Sequence, residues 1–266
     1  AEFFGFPHGQ ELQVDCGMRV FGNASRWTSR PKHNLRLVFR SAYGPSELEF
    51  PVFGNDAWPD KVNSYLLRGQ NGDSWFHPTQ NQRHDALYMR DQLARSLQLA
   101  MHRPANLQEH VHLYLNGLYW GLYHTLDRNE DNSMAQRFGG AEEEWDVIKS
   151  SRSNGMEAID GDLTAWNAML NQAEAGLSGD AEYAAIQEHI DLDNLIDYLL
   201  VNFYNGNSDW DDNNFQAARR RTGDDRWRIF VWDSERSFLG TTANSTTKNF
   251  ANRTTRLHTK LRDNAE

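Results

Sequence analysis

The chain has 266 residues and a mass of 30.7 kDa, with 37 Asp and Glu against 27 Lys and Arg and a net charge of −10. That charge argues against non-specific nucleic-acid binding, and no apolar run reaches the ~18 residues of a membrane helix. The single cysteine, Cys16, excludes an internal disulfide and a cysteine-based zinc cluster. An aromatic content of 12% with 9 Trp sets the chain apart from disordered acidic sequences, despite a mean hydropathy of −0.77.

In chain order, the first third reads as strands. Residues 18–21, 35–40 and 62–68 are short β-rich runs separated by Gly, Asn, Ser and Pro clusters. Between the first two lies a small polar turn, Gly22-Asn23-Ala24-Ser25-Arg26. A helix follows, with Ala86, Met89, Leu93, Leu97 and Ala100 on one apolar face. Residues 111–115 and 118–124 flank Asn116-Gly117, the pair that supplies both positive-φ positions of a type I′ turn, so this segment is a hairpin. The middle reads as helical. Leu163, Trp166, Leu170, Ala173 and Leu177 form one stripe, and Leu192, Ile196, Leu199, Leu200 and Phe203 another, with Asp191 as N-cap. A second hairpin spans 215–219 and 227–232 across a turn at 222–225. Residues 244–266 read as a polar loop with a helix begun near Leu257 and Leu261 and cut off before it packs, as in a chain truncated at its C-terminus. The fold class is α+β, with a β-rich front and a mainly helical back.

The chemistry concentrates after the second helical stripe. Asn207-Ser208-Asp209-Trp210-Asp211-Asp212-Asn213-Asn214 is dense in hard oxygen ligands, and the following hairpin ends at Trp232-Asp233-Ser234-Glu235. Antiparallel strands return the end of a hairpin beside its start. Asp233 and Glu235 should therefore lie near Asn214 and Asp209, where a divalent cation would neutralise them. An EF-hand fails, because its Gly position holds Asn214 and its final Glu position holds Arg220. Asp209 and Asn214 instead have the catalytic-loop spacing of protein kinases, with Asp233 as the metal carboxylate beyond a hairpin. The loop reads equally as a series of Asx turns whose side chains cap their own backbone. The Gly22 turn, with Arg19, Asn23, Ser25, Arg26 and Lys32 around it, suits close approach to phosphates, or is an ordinary polar hairpin with solvated basic residues.

These segments resemble the CotH (spore coat protein H) family of atypical secreted or surface-associated protein kinases. The resemblance rests on residues 18–26, 31–40, 111–123 (VHLYLNGLYWGLY) and 207–214 with Trp232-Asp233, supported by Arg90-Asp91, Phe138-Gly139-Gly140 and 192–198. It implies a reduced kinase-like fold as one domain, with an N-lobe of about 1–126 and a C-lobe of 127–266. It also implies ATP and Mg²⁺ (or Mn²⁺) as cofactors and phosphoryl transfer to Ser or Thr of a partner protein. Carried over, Asp209 is the catalytic carboxylate, Asn214 its metal-side amide and Asp233 the principal metal ligand, with Glu235 beside it. Lys32 with Arg19 or Arg26 meets phosphates, Asn23 and Ser25 belong to the same turn, and Asp127 and Arg128 lie near the adenine. Asp91 is the helical candidate for an ion pair with Lys32. The chain departs from the family in having Asp127 where Glu is common, and Asp233-Ser234-Glu235 where Asp-x-Asp is common. The resemblance also implies an extracellular or cell-surface location and, with the acidic charge, a basic protein substrate.

Three rival readings stand beside this one: a nucleotide-binding scaffold that uses the same residues without transfer, an AMP transferase on the same fold, and a glycan-binding module using Trp27, Trp58, Trp75 and Trp210. His110 and His112 share a strand face and could ligate a metal, Gly72-Asp73-Ser74 resembles a hydrolase nucleophile turn, and Cys16 reads as a small buried hydrophobe.

Overall fold

The computed structural model describes residues 1–6, 9–54 and 61–264; Trp58 lies outside them. In chain order the elements are β1 (Glu2–Phe3), β2 (Leu12–Gln13), β3 (Gly17–Phe21), β4 (Asn34–Val38), β5 (Leu48–Glu49), β6 (Lys61–Val62), β7 (Ser64–Arg68), α1 (Gln80–His84), α2 (Arg90–Ala100), β8 (Gln108–Leu115), β9 (Leu118–Asp127), α3 (Asp131–Phe138), β10 (Trp145–Ser151), β11 (Gly155–Asp160), α4 (Thr164–Ala175), α5 (Asp180–Gln187), α6 (Leu192–Tyr204), β12 (Phe215–Arg220), β13 (Arg228–Val231) and α7 (Thr254–Leu261). The chain is α+β, as expected. It divides into two compact units, one of Ala1–Met89, Asn106–Arg128 and Ala135–Gly139, the other of Arg90–Ala105, Asn129–Met134 and Gly140–Glu266.

The first unit is built on an antiparallel sheet of order β3-β4-β7-β9-β8. Of its inner strands, β4 and β7 are buried along their whole length. Leu35, Leu37, Phe39, Tyr65, Leu67 and Tyr123 pack with Phe3, Leu48 and Phe50 as its core, and Cys16 sits half-buried against them. The β8–β9 hairpin turns at Asn116 and Gly117, with φ of +52° and +78°, so the Asn-Gly signal was sound.

The second unit carries α2, α4 to α7 and an antiparallel sheet of order β11-β10-β12-β13. Helices still outweigh strands in the C-terminal half, as expected, but β10 and β11 went unread in the sequence and widen the expected β12–β13 hairpin into a four-stranded sheet. Trp166 and Trp227 meet edge to face at 5.4 Å in a core with Met169, Leu170, Tyr198, Leu199, Trp210, Phe215, Ile229 and Leu257. Helix α7 packs fully, with Leu257 buried and Asp211 accepting the Thr255 N–H at 2.9 Å and the Thr255 hydroxyl at 2.9 Å. The expectation of a helix cut off before packing is therefore wrong.

Two helical faces also differ from expectation for one reason. In α2 the buried residues are Arg90, Asp91, Ala94, Arg95 and Gln98, while Met89 and Leu93 are exposed. In α6 they include Asn194, Leu195, Tyr198, Leu199 and Asn202, while Ile196 and Leu200 are exposed. The outer edge of β13 needs hydrogen-bond partners, and these polar faces supply them. Asn194 accepts the Ile229 N–H at 2.5 Å and donates to the Ile229 carbonyl at 3.2 Å. Gln98 donates to the same carbonyl at 2.9 Å and accepts the Val231 N–H at 2.9 Å. Two amide side chains thus complete an edge strand that a polar–apolar pattern would place in solvent. The Asp191 cap is as expected, accepting the Asn194 N–H at 3.0 Å.

Candidate active site

Three strands of the second unit's sheet end together. Phe215 pairs with Val231 and Gln216 with both Phe230 and Lys149, so the start of β12 lies beside the ends of β10 and β13. Asn214, Asp233 and the turn containing Arg152 consequently sit at one end of one sheet. Asn214 and Asp233 both have left-handed backbones, with φ of +57° and +56°, a conformation that Asn and Asp adopt more readily than other side chains.

Within this end of the sheet, the Asn214 side-chain amide donates to Asp209 Oδ2 at 2.9 Å, which leaves its carbonyl oxygen for another partner. The loop carrying Asp209 is laced to the segment after Asp233. Ser208 N–H donates to the Arg236 carbonyl at 3.2 Å, Phe238 N–H to the Asn205 carbonyl at 2.7 Å, and Asn207 Nδ2 to Ser234 Oγ at 3.4 Å. The Asx-turn reading holds at two asparagines of this segment. Asn205 and Asn207 form successive Asx turns, accepting the N–H groups of Asn207 and Asp209 at 3.0 and 3.2 Å. Asp209 and Asn214 pair with each other and are both half-buried. Trp210 is fully buried, its indole donating to the Tyr198 hydroxyl, so it is no sugar platform. Trp27 and Trp75 are exposed.

Arg152 is the residue that sequence reasoning missed. From the β10–β11 turn its Nη2 reaches Asp209 Oδ1 at 2.7 Å and its Nε reaches Asp212 Oδ2 at 2.7 Å. The guanidinium holds the Asp212 carboxyl below its usual range, and the two carboxylates raise the arginine in turn. No local signal links residues 152 and 209; only recognition of the β10–β11 hairpin, from Asn154-Gly155, would have brought them together.

Glu235 is buried and Asp233 half-buried. Asp91, expected to pair with Lys32, instead engages Arg95 Nη2 with both oxygens, at 3.1 and 2.9 Å, and accepts the Ser234 N–H at 2.7 Å. Among the described residues no three His, Cys, Asp or Glu side chains gather as a metal cage.

In the first unit, Lys32 lies buried between two phenols, its Nζ 4.7 Å from the Tyr88 ring centre and 4.6 Å from that of Tyr123. It donates to the Tyr88 hydroxyl at 3.0 Å and to the Leu122 carbonyl. Burial lowers its pKa to about 8. The Asp73-Ser74 pair builds this setting and is no hydrolase elbow. Asp73 accepts the N–H groups of Leu87 and Met89 at 2.8 and 3.1 Å, and Ser74 Oγ meets the Tyr88 hydroxyl at 2.8 Å. In the Gly22 turn, Ser25 is buried and donates to the Phe21 carbonyl, while Arg19, Asn23 and Arg26 are exposed. Only glycine fits position 22, where φ is +98° and a Cβ would lie 2.7 Å from Ser25 Oγ. Asp127 is fully buried and accepts from Asn106 Nδ2 at 2.9 Å, whereas the Arg128 guanidinium lies 5.6 Å from the Phe21 ring. The His110 ring lies tilted against that of His124, centroids 4.0 Å apart, and His112 bonds the Tyr119 hydroxyl at 3.0 Å.

The family model of the CotH kinase protein matches residues 18–262. The chain belongs to the CotH kinase family. Comparison with curated proteins finds no match. Family membership suggests a kinase-like function. A CotH kinase that used Mg²⁺ would need hard oxygen donors but few of them, since Mg²⁺ keeps several waters and takes one or two carboxylates plus phosphate oxygens. The Asn214 carbonyl oxygen and the Asp233 carboxylate, on adjacent strand ends, fit that requirement. No helix among the described residues is long and apolar enough to cross a membrane.

Proposed function

We propose that this CotH-family chain is a protein kinase with a reduced kinase-like fold, transferring the γ-phosphate of Mg-ATP to a Ser or Thr hydroxyl of a partner protein. The observation that carries the reading is the sheet end, where Asp209 and Asn214 are hydrogen bonded five residues apart and Asp233 closes the following hairpin. In this reading Asp209 orients the acceptor hydroxyl and takes its proton as the O–P bond forms. Asn214 fixes Asp209 through its amide N–H and directs its carbonyl oxygen toward the metal side. Asp233, with Glu235 adjacent in sequence, supplies the metal carboxylate. Bound there, the cation would neutralise phosphate charge and align the leaving group. Arg152 offsets the charge of Asp209 and Asp212, which would otherwise repel an approaching phosphate.

Lys32 is the proposed phosphate-binding cation, with Arg19, Asn23 and Arg26 beside it in sequence. Arg128 is assigned near the adenine on family grounds. The acidic net charge favours a basic partner protein, and the family suggests an extracellular or cell-surface setting. Mg-ATP or Mn-ATP should raise the melting temperature of the wild-type chain, and Asp233→Ala should abolish the rise. No shift with any nucleotide–metal pair would overturn the reading.

A further inference from the structure

The two residues that flank Asp233 are both held by one buried ion pair on α2. Asp91 Oδ1 accepts the Ser234 N–H at 2.7 Å, and the Arg95 guanidinium lies 5.2 Å from the Trp232 ring centre. Arg95 Nη2 bridges both Asp91 oxygens at 3.1 and 2.9 Å, and the pair's side chains are 1% and 0% exposed. One turn further along α2, Gln98 bonds Val231 and Ile229 on the strand that leads to Trp232. Helix α2 therefore grips the segment from Ile229 to Ser234 through Gln98, Arg95 and Asp91 in succession.

Stability is a poor explanation for this arrangement. Burying an ion pair costs desolvation that well-packed apolar residues of similar size avoid. Arg95 is also incompletely satisfied, since its Nε and Nη1 are buried and make no hydrogen bond. What the pair supplies is a charged acceptor at a fixed place. It holds the Ser234 N–H, and so sets the direction of the Asp233 side chain on its left-handed backbone.

We infer that Asp91 is a positioning residue for the metal carboxylate, acting through the Ser234 N–H, with Arg95 orienting the Asp91 carboxylate. This rests on the kinase reading above, in which Asp233 binds the cation. It makes Asp91 an outer partner of a metal site, the kind of residue whose loss lowers metal affinity without touching the metal.

The test compares two double variants, Asp91→Asn/Arg95→Met and Asp91→Leu/Arg95→Met. Both remove the buried charges and keep similar volume. Only the first retains an oxygen that can accept from Ser234. Circular dichroism and the ligand-free melting temperature establish that both fold. The half-saturating Mn²⁺ concentration for the ATP-dependent thermal shift should stay near wild type in the Asn variant and rise roughly tenfold or more in the Leu variant. Amide hydrogen exchange at Ser234 should be faster in the Leu variant alone. Equal Mn²⁺ dependence in the two variants, with wild type responding normally, overturns the role of Asp91 and leaves the kinase reading standing. A wild-type chain that shows no response to any nucleotide–metal pair overturns both.

Discussion

Lys32 lets the account be checked without any ligand. Its ammonium sits 4.7 and 4.6 Å from two tyrosine ring centres, and burial lowers its pKa from 10.5 to about 8. Between those values the unfolded chain keeps a proton that the folded protein has released, so the Lys32 contribution to stability should rise with pH from about 8 to 10.5, read as the difference between wild type and a variant lacking the amine. At pH 7 the folded protein carries the cost of a desolvated charge, with a ceiling of roughly 3 kcal/mol for a gap of this size. Lys32 is 7% exposed, and the Leu122 carbonyl would lose its donor on substitution. These bring the expected gain for Lys32→Met to about 1–2 kcal/mol at pH 7, or an increase of about 2–8 °C in melting temperature. Thermal unfolding of both proteins from pH 7 to 10.5 is the assay. The advantage of the Met variant should shrink across that window, while its response to Mg-ATP is lost. A Met variant less stable than wild type at pH 7, or one with the same pH slope, would refute the claim that Lys32 is a desolvated cation.

Two further outcomes follow from the sheet in the second unit. Asn194→Leu keeps the side-chain volume but leaves the buried Ile229 N–H without its acceptor. It should cost about 1–3 kcal/mol and lower the melting temperature by roughly 2–10 °C, with faster hydrogen exchange along β13. Arg152→Ala removes an ion pair whose arginine side chain is 58% exposed, so the melting temperature should move by no more than about 2–3 °C, as for surface pairs. Phosphate transfer by the same variant should fall at least roughly tenfold, because charge stabilisation at the reacting group is lost. An unchanged rate would remove Arg152 from the proposed mechanism.

Elements with local signals were legible in the sequence. Asn116-Gly117 fixed a hairpin because both residues must adopt positive φ, and Asp191 capped α6 because its carboxylate reaches the Asn194 N–H. The spacing of Asp209 and Asn214 also became a real contact. What the sequence hid were polar residues turned inward. Asp91, Gln98 and Asn194 are buried to serve the backbone of β13 and its extension, with Arg95 buried as the partner of Asp91, and hydrophobic periodicity assigns such residues to solvent. That error rotated the expected faces of α2 and α6 and obscured the grip of α2 on Ser234. Arg152 was hidden by topology, since the β10–β11 hairpin that carries it to Asp209 has no strong alternation of its own.

The central claim is that the end of this sheet transfers a γ-phosphoryl group. Purified chain incubated with Mg²⁺ and either γ- or α-labelled ATP, alongside Asp209→Asn and Asp233→Ala, tests it most directly. The account predicts label transfer to itself or to a basic Ser- and Thr-containing protein from γ-labelled ATP only, and from neither variant. Transfer from α-labelled ATP, or no transfer of either label by a wild-type chain that binds Mg-ATP, would contradict it.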